Sequence, residues 1–539
     1  MLLCLLPGAH SSLEMTMIAE CEDASAGGRK SAVGSQDNCI ISDFLSVNIV
    51  IFLIYIFAFA LLIRAMGNTN SAVQQCLTSA VGGDTSLVAF QSNPLFQIID
   101  VKPYNLDIPV NPAAVTYPKT PDHVSGIVRC AADAQLKVQA KSGGHSYGNY
   151  GLGGTDNAVV IDMKNFNQFS MDNTTWTATI GSGTLLGDVT TNLHDAGGRA
   201  MAHGTCPEVG IGGHATIGGL GPTSRMYGSA LDHVMEVEVV LANGTVTRVS
   251  QSQNPDLLFA LKGAGAGFGV ITEFIVRTEP EPGEMVQYSY TFSFGSFSSL
   301  TQLYMDWQSF VSDPKLSRKV AGELVLMELG IIISGTYFGP KSEFNALKLE
   351  EKFPNSTKSS VVVFDDWLGM ASHWAEDVAL ELGGGIPAPF YSKSLAFTNE
   401  TLLSSSTVGE LFNYLDTADK GTLLWFAIFD LEGGAVGDIA SDTTAYAHRD
   451  ALLFLQTYAI DIGKVSNTTR AFLDDMNDVL TKAMPKVSAN GAYPGYVDPA
   501  LPNGQEAYWG SNLPKLEKIK KAVDPNDVFH NPQSVRPAS

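Results

Sequence analysis

The chain has 539 residues, 45% of them hydrophobic and 16% charged, with a formal net charge of −22 and a pI of about 4.8. That length exceeds one hydrophobic core and implies two or three domains at roughly 150 residues each. The acidic balance repels a phosphate backbone and excludes general nucleic-acid binding.

Residues 1–66 read apart from the rest. Residues 1–43 are polar and unpatterned, and 44–63 (Phe44 to Ile63) follow as an uncharged apolar run long enough to span a bilayer as a helix. The run is expected to act as a signal or anchor, giving a secreted or membrane-anchored protein. A second reading starts the working chain at Met66, because Met66-Gly-Asn-Thr-Asn-Ser71 fits the myristoylation pattern of a cytosolic protein. Asn-x-Ser/Thr sequons at Asn173, Asn243, Asn355, Asn399 and Asn467 favour export.

Ala114–Tyr117 reads as a strand. Thr120-Pro-Asp122 then starts a helix with a capping hydroxyl, a first-turn proline and an acid near the positive end. Val124, Ile127, Val128 and Ala131 continue it at helical spacing. The β-rich run Leu136–Ala140 ends in Lys141-Ser-Gly-Gly-His-Ser-Tyr-Gly148. In that turn Ser142, Gly143, Gly144 and Ser146 free backbone N–H groups to converge on an anion, with His145 held above. Strand, helix, strand, anion loop is an α/β order.

Ala158–Ile161 and Thr177–Ile180 follow as strands, and Gly181–Thr184 opens a helix. A second loop, His203-Gly-Thr-Cys-Pro-Glu-Val-Gly-Ile-Gly-Gly-His214, carries Cys206 ahead of Gly210, Gly212, Gly213 and Gly218. Both His145 and Cys206 sit in glycine-bordered turns, where reactive residues are commonly placed. Gly210–Ala215 matches Gly-x-Gly-x-x-Ala without a clean preceding strand, which argues against a nicotinamide site. His145, His203, Cys206 and His214 lack a common zinc spacing, so no metal is expected.

Asp232–Val249 reads as a hairpin closing on a two-residue Asn243-Gly244 turn, and Asn254–Lys262 as a capped amphipathic helix. Gly263–Gly269 and Val270 follow, as a glycine-rich turn or a cofactor-facing segment. Glu279–Gly283 reads as a linker. Beyond it β-alternation, as in Val286–Phe292, mixes with helices to about 480. Asp430 precedes Gly433-Gly434 as a turn residue or a functional carboxylate. Gln456 ends the apolar run Leu452–Gln456, whose plain reading is a helix edge, and the plain reading of Tyr496 is a core tyrosine.

His145 and Cys206 in these two loops, together with Tyr493-Pro-Gly-Tyr-Val-Asp498, Tyr508-Trp-Gly-Ser-Asn512 and Asp524–Ser534, resemble the bicovalent flavin oxidases of the berberine-bridge-enzyme and glucooligosaccharide-oxidase family. The likeness runs from about Gly67 to the C-terminus. It implies an α+β fold with a vanillyl-alcohol-oxidase-like, PCMH-type FAD-binding domain over 67–280. It further implies an antiparallel-sheet substrate domain over 285–480 and a berberine-like segment over 481–539 returning to the first domain.

FAD is then implied as the cofactor, bonded at C8α by His145 and at C6 by Cys206. Ser142, Gly143, Gly144, Ser146, Gly210, Gly212, Gly213, Gly218 and Val270 are implied around it. With Cys206 so used, Cys76 and Cys130 are implied as a disulfide, which recurs ahead of the flavin histidine among relatives. Tyr496 is implied as the base and Asp430 as the carboxylate receiving its proton, although Gly495 stands where asparagine is common. A tyrosine near pKa 10 needs such an acceptor at neutral pH. Tyr147 is expected beside the flavin and substrate, and Gln456 toward a substrate hydroxyl.

The implied reaction removes a hydride from an alcohol carbon and reduces O2 to H2O2, in a monomer. A sugar hemiacetal is the first substrate reading and a secondary-metabolite alcohol the second. A flavin-carrying surface protein without turnover is the non-enzymatic reading.

Overall fold

The computed structural model describes residues 71–539 except 294, 382–386 and 485–490. The apolar run 44–63 and the Met66 start lie outside the described residues. Among the described residues no helix is long and apolar enough to cross a membrane.

The architecture is α+β and built on three main sheets. The first has four strands in the order Val88–Phe90, Ala114–Thr116, Val159–Asp162, Val138–Lys141. Its last three are parallel neighbours, with the helix Pro121–Asp133 crossing between them. Thr120 caps that helix through its side chain, which accepts from the His123 N–H at 3.2 Å. Val124, Ile127 and Val128 point its apolar stripe into the core beneath the sheet. Cys76 and Cys130 form a disulfide that ties the preceding helical segment to this one. Closing a loop of this length stabilises by about 2 to 4 kcal/mol through lost chain entropy in the unfolded state.

The second sheet is antiparallel, in the order Phe169–Asp172, Thr177–Gly181, Val270–Arg277, Val234–Val240, Val246–Ser250. Its last hairpin differs from expectation. The Leu241 N–H donates to Thr245 O at 2.9 Å and Gly244 N–H to Leu241 O at 2.8 Å, so the loop holds three residues, Ala242–Gly244. Gly244 takes a φ of 80°, the left-handed position such loops require. Asn254 also departs from the expected cap. It is itself left-handed, makes no side-chain cap, and turns its amide to Arg248 O at 3.3 Å. The segment expected as a linker is pinned, because Glu279–Pro280 pairs with Arg199–Ala200.

The third sheet is antiparallel and seven-stranded. Its order is Lys358–Phe364, Met285–Phe292, Gly330–Phe338, Val320–Met327, Leu424–Leu431, Leu453–Ile460, Phe390–Phe397. Alternation sends Val286, Tyr288, Tyr290 and Phe292 to one face, where helices Thr301–Val311, Ser405–Thr417 and Asn467–Ala483 cover them. Gln287, Ser289 and Thr291 take the other face. The chain then returns to the first sheets: Val138 N–H donates to Val528 O at 2.8 Å, and the buried Lys520 donates to Gly267 O at 2.7 Å and Phe529 O at 2.8 Å. A buried Arg449–Asp232 pair, bonded through both guanidinium nitrogens, joins the second sheet's helical entry to the segment leading into Leu453–Ile460.

Candidate active site

The His145 loop leaves the end of Val138–Lys141, and the Cys206 loop lies directly against it. A Cβ at Gly143 would overlap Glu208 O and Gly210 N, and one at Gly210 would overlap Ser142 and Gly143 N, so only glycines let the two loops touch. Ser142 Oγ donates to Ser182 O at 2.7 Å, and Ser146 Oγ accepts from the Tyr150 N–H at 3.1 Å. The Cys206 loop is anchored in turn through Leu186 N–H to Val209 O at 2.8 Å and Gly187 N–H to Pro207 O at 3.0 Å.

His145 stacks on Tyr104 with ring centroids 4.6 Å apart. Burial holds its imidazole below the usual histidine pKa, and burial followed by the Glu208 charge pushes the Cys206 thiol up to about 11. Both are therefore neutral at pH 7. His203 and His214 are structural: His203 bonds Thr190 Oγ1 at 2.9 Å and Gly204 O at 2.7 Å, and His214 Nε2 accepts from Gly204 N–H at 3.0 Å. Among the described residues no group of His, Cys, Asp or Glu is arranged to hold a metal ion.

Both loops line one cavity of about 710 Å3, closed on its far side by the open face of the seven-stranded sheet. Ser142, Gly143, Gly144, Ser146, Gly210, Gly212 and Gly213 are on its wall, as is the run Gly263–Gly267 with Gly269. Gly218 and Val270 are not. Gly218 packs at φ 138° against Tyr493 and Tyr446, and the Val270 side chain is buried in the core with Val240, leaving its neighbours Gly269 and Ile271 at the cavity. Tyr150 Oη and Ser182 Oγ are buried on the wall with no hydrogen-bond partner among the described residues. Free donors beside bare backbone are what a dinucleotide requires, so this wall fits FAD.

Across the cavity, Asp430 lies on the strand Leu424–Leu431 and not in a turn. Tyr496 Oη donates to Asp430 Oδ2 at 2.8 Å. Burial pushes the Asp430 carboxyl up to about 6, and burial with the adjoining Asp430 charge pushes the Tyr496 phenol well above 10. Gly495 has a local reason: a Cβ there would overlap the Tyr493 ring, whose hydroxyl accepts from Gly219 N–H at 2.9 Å. Tyr147 stacks 6.4 Å from Tyr496, and its hydroxyl accepts from Gln456 Nε2 at 2.8 Å. Gln456 is on a strand, Leu453–Ile460, where a helix edge was its plain reading.

Several wall residues carry no motif. Tyr104 precedes the His145 loop by some forty residues, Glu323 faces Asp430 across a strand pair, and Ser289, Ser334 and Thr336 form a polar row reached by Trp374. The alternation of Gln287, Ser289 and Thr291 was the one signal pointing to that row.

Comparison with known proteins agrees with this arrangement. Residues 112–250 match the family model for an FAD binding domain, and residues 492–536 match the berberine and berberine-like model. The chain is 41% identical to the FAD-linked oxidoreductase sorD of Penicillium rubens, over 87% of this chain and 99% of that protein. The solved xylooligosaccharide oxidase from Myceliophthora thermophila, in complex with xylobiose, superposes with a TM-score of 0.78 at 30% identity, covering 87% of this chain and 100% of that one. A glucooligosaccharide oxidase from Acremonium strictum, studied for its 6-S-cysteinyl, 8α-N1-histidyl FAD, gives 0.78 at 29% identity, over 87% of this chain and 100% of that one. Two loops meeting at glycines, a dinucleotide-sized wall and matches at both ends of the fold place this chain in the FAD-linked oxidoreductases of the berberine-bridge-enzyme and oligosaccharide-oxidase family.

Proposed function

We propose that this protein is an alcohol oxidase holding FAD through two covalent bonds, from His145 and from Cys206, and that Tyr496 with Asp430 removes the substrate's hydroxyl proton. The carrying observation is the 2.8 Å Tyr496–Asp430 bond facing the cavity that both tether residues line. FAD held between the His145 and Cys206 loops would supply the hydride acceptor and the route of electrons to O2, giving H2O2. Tyr496 Oη takes the substrate proton as its own proton moves to Asp430 Oδ2. Tyr147, fixed by Gln456, bounds the substrate's place beside Tyr496.

The first substrate reading is a sugar hemiacetal oxidised to a lactone. The named substrates of the oligosaccharide-oxidase relatives support it, and so does the polar row Gln287, Ser289, Ser334 and Thr336, whose groups suit a ring of hydroxyls. Phe426, Ile428 and Tyr458 on the neighbouring strands favour a second reading, an alcohol on an aromatic or polyketide body. H2O2 release across xylo-, cello-, chito- and malto-oligosaccharides and aromatic alcohols tests both. Turnover of a reducing sugar at least tenfold better than any aromatic alcohol is expected, and the reverse ranking would select the second reading. Absence of H2O2 with every compound would leave a flavin carrier without turnover.

Export through the secretory pathway is proposed on separate grounds. All five sequon asparagines are exposed, and Cys76–Cys130 is closed. The mature protein is expected to lose mass on deglycosylation and to show neither thiol at this pair. A chain with both thiols free, no glycan and myristate on Gly67 would establish the Met66 start in its place.

A further inference from the structure

Asp430 has two carboxyl neighbours that the motif reading does not use. Glu323 stands opposite it in the register of Val320–Met327 with Leu424–Leu431, and Glu432 follows two positions later in the chain. All three line the cavity. Directly opposed residues of an antiparallel pair put their side chains on one face as nearest neighbours, so the Glu323 and Asp430 carboxyls adjoin on the cavity wall, and two adjoining carboxyls resist ionising together and share a proton.

The surroundings decide which. Tyr496 spends its hydroxyl proton on Asp430 Oδ2, a contact that favours a charged acceptor. Glu323 Oε1 accepts from the Ser334 hydroxyl at 3.1 Å, a longer bond from a weaker donor than the phenol that meets Asp430 at 2.8 Å, so the charge is better held on Asp430. The cation beside the cluster, Arg225, acts on Glu432 and not on Asp430. Tyr147, Tyr288 and Tyr493 are held neutral by burial, and burial pushes the Glu432 carboxyl well above the usual carboxylate range. The Arg225 guanidinium, beside Glu432, donates to the backbone carbonyls of Val320 and Glu432. One negative charge on Asp430, with Glu323 protonated, satisfies every one of these contacts.

We propose that Glu323 is a positioning residue for the proton transfer, a neutral acid whose O–H donates to the Asp430 carboxylate and holds it as the acceptor for Tyr496. The inference rests on the reading that Tyr496 and Asp430 take the substrate proton. In the step, the substrate O–H bond breaks and its proton joins Tyr496 Oη, the former Tyr496 proton joins Asp430 Oδ2, and Glu323 keeps its own. The carboxyl pair then holds two protons and no charge, and returns one to solvent before the next turnover.

The test is anaerobic flavin reduction from about pH 5 to 9 in the wild type, Glu323→Gln and Glu323→Leu, all checked for retained flavin. Glutamine keeps an N–H donor at the same place, so its rates are expected within about twofold of wild type. Leucine removes the donor that stabilises charged Asp430. Its acid limb is expected to rise by about one pH unit, a loss of about fivefold near pH 6 and about tenfold near pH 5 that largely recovers by pH 8. Equal loss in both variants, or a loss of the same factor at every pH, overturns the proposal. A second readout needs no substrate: the infrared difference spectrum of wild type minus Glu323→Gln at neutral pH should show one protonated-carboxyl carbonyl band, any Glu432 band cancelling, and a difference spectrum without that band overturns the assignment. Tyr496→Phe reduced at wild-type speed would overturn the underlying transfer reading, while the infrared band would still report the protonation of the pair.

Discussion

Tyr496→Phe is expected to slow reduction of the bound flavin by about 10²-fold or more, the usual scale for loss of a general base. Only the hydroxyl that donates to Asp430 is removed. The ring keeps its stacking on Tyr147 and its edge contact with Tyr493, so flavin attachment and substrate affinity should change far less. Asp430→Asn preserves shape but removes the proton acceptor, and should also slow reduction. Because the proposed transfer puts both residues on one proton, the double variant should be little slower than the slower single. The acceptor must be ionised, and burial has raised Asp430 to about 6. Reduction should therefore hold above that pH and fall as the pH drops through it. Stopped-flow rates that multiply across the two substitutions would return both residues to structural roles.

What the sequence makes legible here is what neighbouring residues encode. Thr120-Pro121 starts a helix through its own hydroxyl and ring, and the glycines of the two loops announce backbone contact, which the structure finds between Gly143 and Gly210. Elements whose identity depends on distant partners are read less well. Leu452–Gln456 is too short for its period to separate strand from helix, and its strand is enclosed by a core on one face and the cavity on the other. Glu323 acquires meaning only from the register that sets it against Asp430. Tyr104 reaches His145 because Asn149 Oδ1 accepts from the N–H groups of Tyr104 and Asn105, both at 3.1 Å, a tie between loops that no local pattern announces. Gly218 reads as one of the loop glycines, yet it lies off the cavity wall, packed against the Tyr493 and Tyr446 rings.

The denatured protein is expected to stay yellow, and a proteolytic digest to yield one flavin carrying two peptides, one with His145 and one with Cys206. His145 suits the proposed bond, since burial favours the neutral imidazole with a nitrogen lone pair available, and Tyr104 stacks on the ring. Cys206 is a thiol at neutral pH, so the proposed bond would require loss of that proton during attachment. Either single replacement, His145→Ala or Cys206→Ala, should leave one bond and a weakened but active enzyme, whereas the double variant should release all its flavin in acid. A steric variant separates chemistry from placement. Gly210→Ala leaves both tethers intact but drives a Cβ into Ser142 and Gly143, where the obstacle is largely backbone. The two loops must then part, and attachment through both residues at once should fail in most molecules even though each tether remains able to react. Mass spectrometry of the digests reads all four variants. Wild-type flavin that washes out completely in acid would end the two-bond reading, and full double attachment in Gly210→Ala would show that the loop contact does not govern it.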